Sequence, residues 1–301
     1  MSLSYCDPSA PAEKHIVDIL IEERAPRLSQ SALWPLVGVL LRAILKYSKA
    51  RALADSIKDL SGDDSLIYVS RLLRLNVQTV GLENVPVHGR CIIVCNHPTG
   101  VADGVAVYDA LIHIRPDLCF FANADAHRVS TGLSDVLIPV AWPVQKRTVT
   151  SSKLTLRLAH KAFKAGRSVV IFPAGALSRR IGGKIQDPDW EHSAVALAHK
   201  HEIPIIPIHI AGPFPHLFHF FDRFSHELRD VTLFYELLNK VGKRYLLTVG
   251  PKIDPAELEG RPAAVTEHLK TYVEASLPKS PEASFKIERL SEPERLSRKD
   301  E

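Results

Sequence analysis

Apolar residues follow two rhythms along this chain: helical spacing near the N-terminus, and short β-branched runs from residue 91 onward. The runs at 91–96, 118–123, 137–142, 168–172 and 245–249 predict strands. Between and after them, 105–114, 151–165 and 190–201 have helical patterns. Residues 1 to about 60 read as helical, followed by an apolar-basic helix over 66–75, the run 77–80 and a turn over 84–89. Strands separated by helices of this length predict an α/β fold, a mixed, largely parallel sheet flanked by helices with an N-terminal helical segment. The expected organisation is an N-terminal helical segment over 1–64, a domain over 65–278 and a charged, disordered tail over 279–301, where 12 of 23 residues are charged.

Two stretches bear on membranes. Residues 28–41 carry no charge, and Trp34, Leu36, Val37, Val39, Leu40 and Leu41 make them mostly apolar, with Arg42 and Lys46 following. Fourteen residues fall short of the roughly 20 that cross a bilayer. The segment 28–47 therefore reads as an amphipathic helix, and two placements fit it: in a membrane interface, or packed on its own protein. The second stretch, 203–221, contains Pro204, Pro207, Pro213 and Pro215. Proline removes amide donors, so a strand over 205–210 and then a loop are expected there, not a span. A soluble or peripheral protein follows as the expectation.

Composition narrows the classes. An apolar share of 46 % and a charged share of 24 % are those of a folded chain, and exclude collagenous, coiled-coil and wholly disordered proteins. The net charge of +4 suits an anionic membrane surface or a phosphorylated substrate, but is too small to indicate nucleic acid. Cys91 and Cys95 flank Ile92-Ile93-Val94 and read as small hydrophobes on a buried strand. No second Cys/His pair follows at ligand spacing, so no metal is expected, and the scattered cysteines suggest a reducing compartment. Asp7 and Glu13 precede any apolar run, which argues against a secretory signal.

Candidate chemistry lies where two strands end. The first runs into Asn96-His97-Pro98-Thr99-Gly100-Val101-Ala102-Asp103, a position where open α/β sheets place their sites. His97 can take a proton near neutral pH, with Asp103 close enough in sequence to orient it. Equally, Asp103 can cap the following helix while His97 serves as a turn residue. No serine or cysteine nucleophile accompanies the pair, so it would activate a hydroxyl or amine brought by a substrate. The second strand empties into Phe172-Pro173-Ala174-Gly175-Ala176-Leu177-Ser178-Arg179-Arg180. Gly175 permits a tight turn or a close approach, and Ser178, Arg179 and Arg180 offer donors suited to phosphate; a plain turn with a solvated arginine pair fits too.

In order and spacing, these blocks resemble the glycerolipid and lysophospholipid acyltransferase superfamily, the 1-acylglycerol-3-phosphate acyltransferases. Asn96-His97 to Asp103 resembles its His/Asp block, and Phe172-Pro173-Ala174-Gly175 its Phe-Pro-Glu-Gly block. Ile203-Pro204-Ile205-Ile206-Pro207 resembles its last strand motif, with Gly212 following. Five residues, not four, separate His97 from Asp103, and Ala174 stands in place of the family's Glu. Both departures, with Asp187-Pro188-Asp189-Trp190, Leu228-Arg229 and Glu236 to Lys240, are similar to a bacterial branch described as hemolysin-like or as acylating amino-acid lyso-lipids.

The resemblance implies a fatty acyl group moved from acyl-CoA or acyl carrier protein to the hydroxyl of a lyso-lipid, with no acyl-enzyme and no cofactor beyond the thioester co-substrate. His97 would be the base and Asp103 its orienting partner. Asn96, Phe172, Pro173, Gly175, Ser178, Arg179 and Arg180 would shape the acceptor site, with Arg147 as a further cation. Without the acidic side chain at position 174, an amino-acid lyso-lipid rivals a lysophospholipid as acceptor. The expected place is the inner face of a bacterial cell membrane, bound peripherally to its anionic surface. The alternative is a lipid-binding protein on the same scaffold that does not catalyse. No Gly-x-Ser-x-Gly elbow is present, against a serine hydrolase, and Gly182-Gly183-Lys184 lacks the Ser or Thr of a phosphate loop. The cations are not interleaved with aromatics as nucleic-acid surfaces require.

Overall fold

Strand β2 (Ile92–Cys95) is buried along its whole length, because helices cover both faces of the sheet it centres. Alternation sends Ile93 and Cys95 to one side and Ile92 and Val94 to the other, into two separate apolar cores. The computed structural model describes residues 14–141 and 148–287. Around β2 it places β1 (Asn76–Val80), β3 (Leu118–Asn123), β4 (Leu137–Val140), β5 (Ser168–Ile171), β8 (Ile205–Ala211) and β9 (Arg244–Val249) in the order β1-β9-β8-β2-β5-β3-β4. All pairings are parallel except β8 with β9. A separate antiparallel hairpin joins β6 (Arg179–Ile181) to β7 (Lys184–Gln186). The mixed, mostly parallel α/β sheet expected from the strand–helix alternation is thus the observed one.

One core holds the helices Val101–Leu111 and Tyr47–Ile57 against the sheet; the other holds Val149–Lys164, Ser193–His201 and Pro262–Thr271. The N-terminal helices share the first core through Val17, Ala50, Leu53 and Ile57, and helix Gly62–Leu73 runs across the expected boundary at residue 64. At the other end, the packed chain continues past residue 279. Phe285 is buried beside Tyr272, with ring centroids 5.6 Å apart, because an apolar ring among charged neighbours still finds a core to enter. Residues 288–301 of the expected tail lie outside the described residues.

The segment 28–47 is not one helix. Short helix Pro26–Ser29 stops, and Pro35 in the first turn of Trp34–Ile44 starts a new one, where its missing amide costs nothing. Lys46 then takes a left-handed conformation, φ 53°, which ends that helix. Similarly, the expected loop after β8 contains helix His216–Asp222, begun just after Pro215. The hairpin β6–β7 was not among the expected elements; its signal is Gly182-Gly183, both with positive φ, between two short strands.

Candidate active site

Strands β2 and β5 lie side by side in register, Val94 opposite Ile171, so the blocks that follow them emerge together at the carboxyl edge of the sheet. The amide of Ser178 donates to the carbonyl of His97 at 2.9 Å and ties the two loops together. The ring of Phe172 lies against that of His97, centroids 4.6 Å apart.

His97 Nδ1 is 2.9 Å from Asp103 Oδ2. The same oxygen accepts the amides of Thr99 at 2.9 Å and Gly100 at 3.0 Å, and Oδ1 accepts the Thr99 hydroxyl at 2.6 Å. Asp103 sits in the first turn of helix Val101–Leu111 and is completely buried. It therefore caps the helix and holds the imidazole at once, and the two readings of the sequence are compatible. With Nδ1 donating to a carboxylate, Nε2 carries the free lone pair. The His97 side chain is 17 % exposed, enough to meet a substrate.

Behind Asp103 the chain of donors continues. Thr99 Oγ1 is 2.8 Å from the Tyr245 hydroxyl; since Thr99 donates to Asp103, Tyr245 donates to Thr99. Burial pushes the Tyr245 phenol well above its ordinary range and keeps that proton in place. Gly212 lets β8 and its loop pass this point: a Cβ there would lie 2.6 Å from Tyr245 Cε1 and 2.7 Å from Thr99 Cγ2.

A second buried carboxylate holds the backbone of the site. Asp187, wholly inaccessible, accepts the His97 amide on both oxygens at 3.1 Å, the Ser178 hydroxyl at 2.5 Å and the Trp190 indole at 2.9 Å. Its own amide donates to Glu274 at 2.7 Å. Burial raises the Asp187 carboxyl, against the lowering effect of the Ser178 and Trp190 hydrogen bonds and of nearby His97. Burial raises Glu274 as well. Replacing Asp187 with alanine leaves three donors without partners, at a cost of about 3 kcal/mol or more. A thermal melt should fall by about 6 to 12 °C for a domain of this size, and turnover should fall with it as the His97 loop loosens.

The other expected site residues divide into two groups. Asn96 is buried and its amide faces Ile210, donating to the carbonyl at 3.1 Å and accepting the amide at 2.6 Å, so it stitches β2 to β8. Ser178 is turned inward to Asp187, and the carbonyl of Pro173 accepts the Glu191 amide at 2.9 Å. Gly175 makes the turn after β5 with φ 58°, its amide returning to the carbonyl of Phe172. Arg179 is half-buried, and its Nε is shielded from solvent without a hydrogen-bond partner among the described residues. Arg180 is exposed and donates to the Gly183 carbonyl at 3.2 Å. Arg147 lies outside the described residues. Asp187, Thr99 and Tyr245 were absent from the expected set. For the first, the signal was an Asp-Pro step two residues before a Trp; for Tyr245, on a strand about 140 residues away, sequence offered none.

Three of the remaining histidines have contacts within the fold. His199 Nε2 is 2.7 Å from the carbonyl of Leu258, His209 Nδ1 is 3.0 Å from that of Val273, and His219 stacks on Phe214. Cys91, Cys95 and Cys119 are buried free thiols, and burial raises the last to about 11, so none is a thiolate nucleophile.

Among proteins of known activity, the chain is 28 % identical over 220 residues to the lyso-glycine lipid O-acyltransferase of Phocaeicola vulgatus, covering 71 % of this chain and 77 % of that protein. It is 26 % identical over 197 residues to the protein of the same name from Bacteroides thetaiotaomicron, covering 65 % and 70 % respectively. Among solved structures, the 1-acyl-sn-glycerophosphate (LPA) acyltransferase PlsC of Thermotoga maritima aligns with a TM-score of 0.43 at 16 % identity, over 84 % of this chain and 94 % of that one. The family model described as "Acyltransferase" matches residues 20–259, most of the chain and both blocks of the site, and the chain belongs to the acyltransferase family.

Proposed function

We propose that this acyltransferase moves a fatty acyl group from a thioester, acyl-CoA or acyl carrier protein, to the hydroxyl of a lyso-lipid, with His97 as general base. The observation that carries this reading is the contact of His97 Nδ1 with the buried Asp103 at 2.9 Å beside the Phe172–Arg180 turn. Nε2 takes the proton of the acceptor hydroxyl as its oxygen attacks the thioester carbonyl. The tetrahedral adduct collapses, the C–S bond breaks, and the thiolate takes the proton back from the imidazolium. Asp103 holds the tautomer and offsets the charge that develops on the ring. Positioning both substrates supplies much of the remaining acceleration.

The amino-acid lyso-lipid is the acceptor that the residues favour. Two relatives are named for a lyso-glycine lipid, and such a headgroup carries a carboxylate. We assign this role to Arg179, whose Nε is sheltered and without a hydrogen-bond partner among the described residues. Alanine at 179 should raise KM for a charged acceptor about 10- to 100-fold with little change in kcat. Steady-state kinetics at saturating thioester, with the free amino-acid lyso-lipid and its methyl ester compared, reads this directly: the ester should be indifferent to the substitution.

Access to a bilayer fits the helix Trp34–Ile44. Its inner face, Trp34, Val37, Leu41 and Leu45 beyond its end, packs on Leu217, Leu228, Val231 and Tyr235, while Leu33, Leu36, Val39, Leu40 and Ile44 face outward. The inner side packs on the protein itself, and the exposed outer side is the one we assign to a membrane interface. Among the described residues no helix is long and apolar enough to cross a membrane, and peripheral attachment to the inner face of a bacterial membrane is the arrangement proposed. The test is release of free thiol from an acyl thioester by purified protein with a panel of lyso-lipids. Acceptor-dependent release supports the reading, and binding of lipid without release from any acyl donor overturns it.

A further inference from the structure

Helix His216–Asp222 carries a second apolar projection. That helix and the turn after it expose Phe220 by 56 % and Phe224 by 72 %, with ring centroids 5.4 Å apart. Two adjacent phenyl rings in water forfeit a large hydrophobic gain unless something covers them. They are carried by the same packed unit as the outward face of Trp34–Ile44, because Leu217 of this helix joins Trp34, Val37 and Leu28 in one small core. Arg27 and Arg223 share a recess beside Phe224 with Asp222 and Glu227, whose carboxylates are engaged. Asp222 turns to Arg229 at 2.8 Å, and Glu227 accepts the backbone amides of Arg27 at 3.1 Å and Leu28 at 3.0 Å. Arg27 and Arg223, which line the recess next to Phe224, remain exposed.

We propose that Phe220 and Phe224 form a second membrane-entering wedge, with Arg27 and Arg223 at anionic lipid headgroups. This rests on the reading above that the acceptor is a lipid. Apolar rings beside two exposed cations, with the neighbouring carboxylates engaged by Arg229 and by backbone amides, match a negatively charged bilayer interface in both polarity and charge. Two anchoring elements on one packed unit would restrict the tilt of the protein on the bilayer more than a single helix lying in the interface does.

The test is cosedimentation of the full chain with vesicles of phosphatidylcholine alone or mixed with phosphatidylglycerol. The double variant F220S/F224S should partition about tenfold more weakly into both, with an unchanged melting temperature because the rings are exposed. R27Q/R223Q should lose the preference for the anionic vesicles and keep its binding to the neutral ones. Binding of F220S/F224S equal to wild type overturns the wedge. So does a wild-type dimer that the same variant splits into monomers with vesicle binding unaltered. Transfer to a short-chain, water-soluble acceptor reads the proposed function separately. Weakened vesicle binding with unchanged soluble turnover supports the wedge, and a wild type inactive in that assay counts against the function alone.

Discussion

Replacing His97 with alanine should lower kcat about 10²- to 10⁴-fold, the range that a positioned general base contributes, in a protein that still folds. Stability should be largely kept because Asp103 retains the Thr99 amide, the Thr99 hydroxyl and the Gly100 amide after the imidazole is gone. A buried carboxylate with three donors is satisfied, and the ring it loses was partly exposed. KM for either substrate should move little, since the base touches only the reacting hydroxyl. Circular dichroism melts run beside thiol-release kinetics check both halves. A large loss of stability would mean that His97 is a packing residue.

The second large effect is at Asp103, and there the two obvious variants should part company. Alanine removes the acceptor of three donors besides His97, in a place no water reaches. Both activity and stability should fall, the latter by about 3 kcal/mol or more. Asparagine should behave differently. Oδ2 faces three donors and Oδ1 faces a hydroxyl that can also donate elsewhere. The amide oxygen will therefore occupy the Oδ2 position, and the NH₂ group will donate to Thr99 Oγ1, leaving one hydroxyl proton of the buried Thr99–Tyr245 pair without an acceptor. The tautomer of His97 is kept, while the negative charge and the acceptor of the Thr99 hydroxyl are lost. Asp103→Asn should thus lose less stability than Asp103→Ala while kcat drops about 10- to 100-fold, the worth of a charged over a neutral partner. If asparagine melts as early as alanine, the carboxylate is a helix cap before anything else.

Much of the site could be read from local sequence because its elements are local. β2 and β5 are unbroken apolar runs, and the residues just beyond a buried parallel strand must emerge at one edge of the sheet. Strand β3 was expected at the residues where it occurs, 118–123, since Leu-Cys-Phe-Phe-Ala-Asn is bounded by polar turns. What sequence could not supply came from long-range pairing. Tyr245 reaches Thr99 only because β9 runs antiparallel beside β8. Asp187 reaches the amide of His97 only because the hairpin β6–β7 folds back over the loop after β2. The inward turn of Asn96 and Ser178, both expected to meet substrate, has the same origin: a short polar side chain at a strand end will bond to a neighbouring strand or loop when one lies within reach. The break in 28–47 was locally encoded by Pro35, but the left-handed Lys46 was not, since lysine has no preference for that conformation.

The central claim is that the acceptor oxygen, deprotonated at His97, attacks the thioester itself. Its most direct test is to mix the wild-type protein with an acyl thioester in the absence of any lyso-lipid and follow thiol release and the intact protein mass together. Direct attack predicts no thiol and an unchanged mass until acceptor is added. A burst of thiol stoichiometric with protein, together with a mass raised by one acyl group, would contradict it.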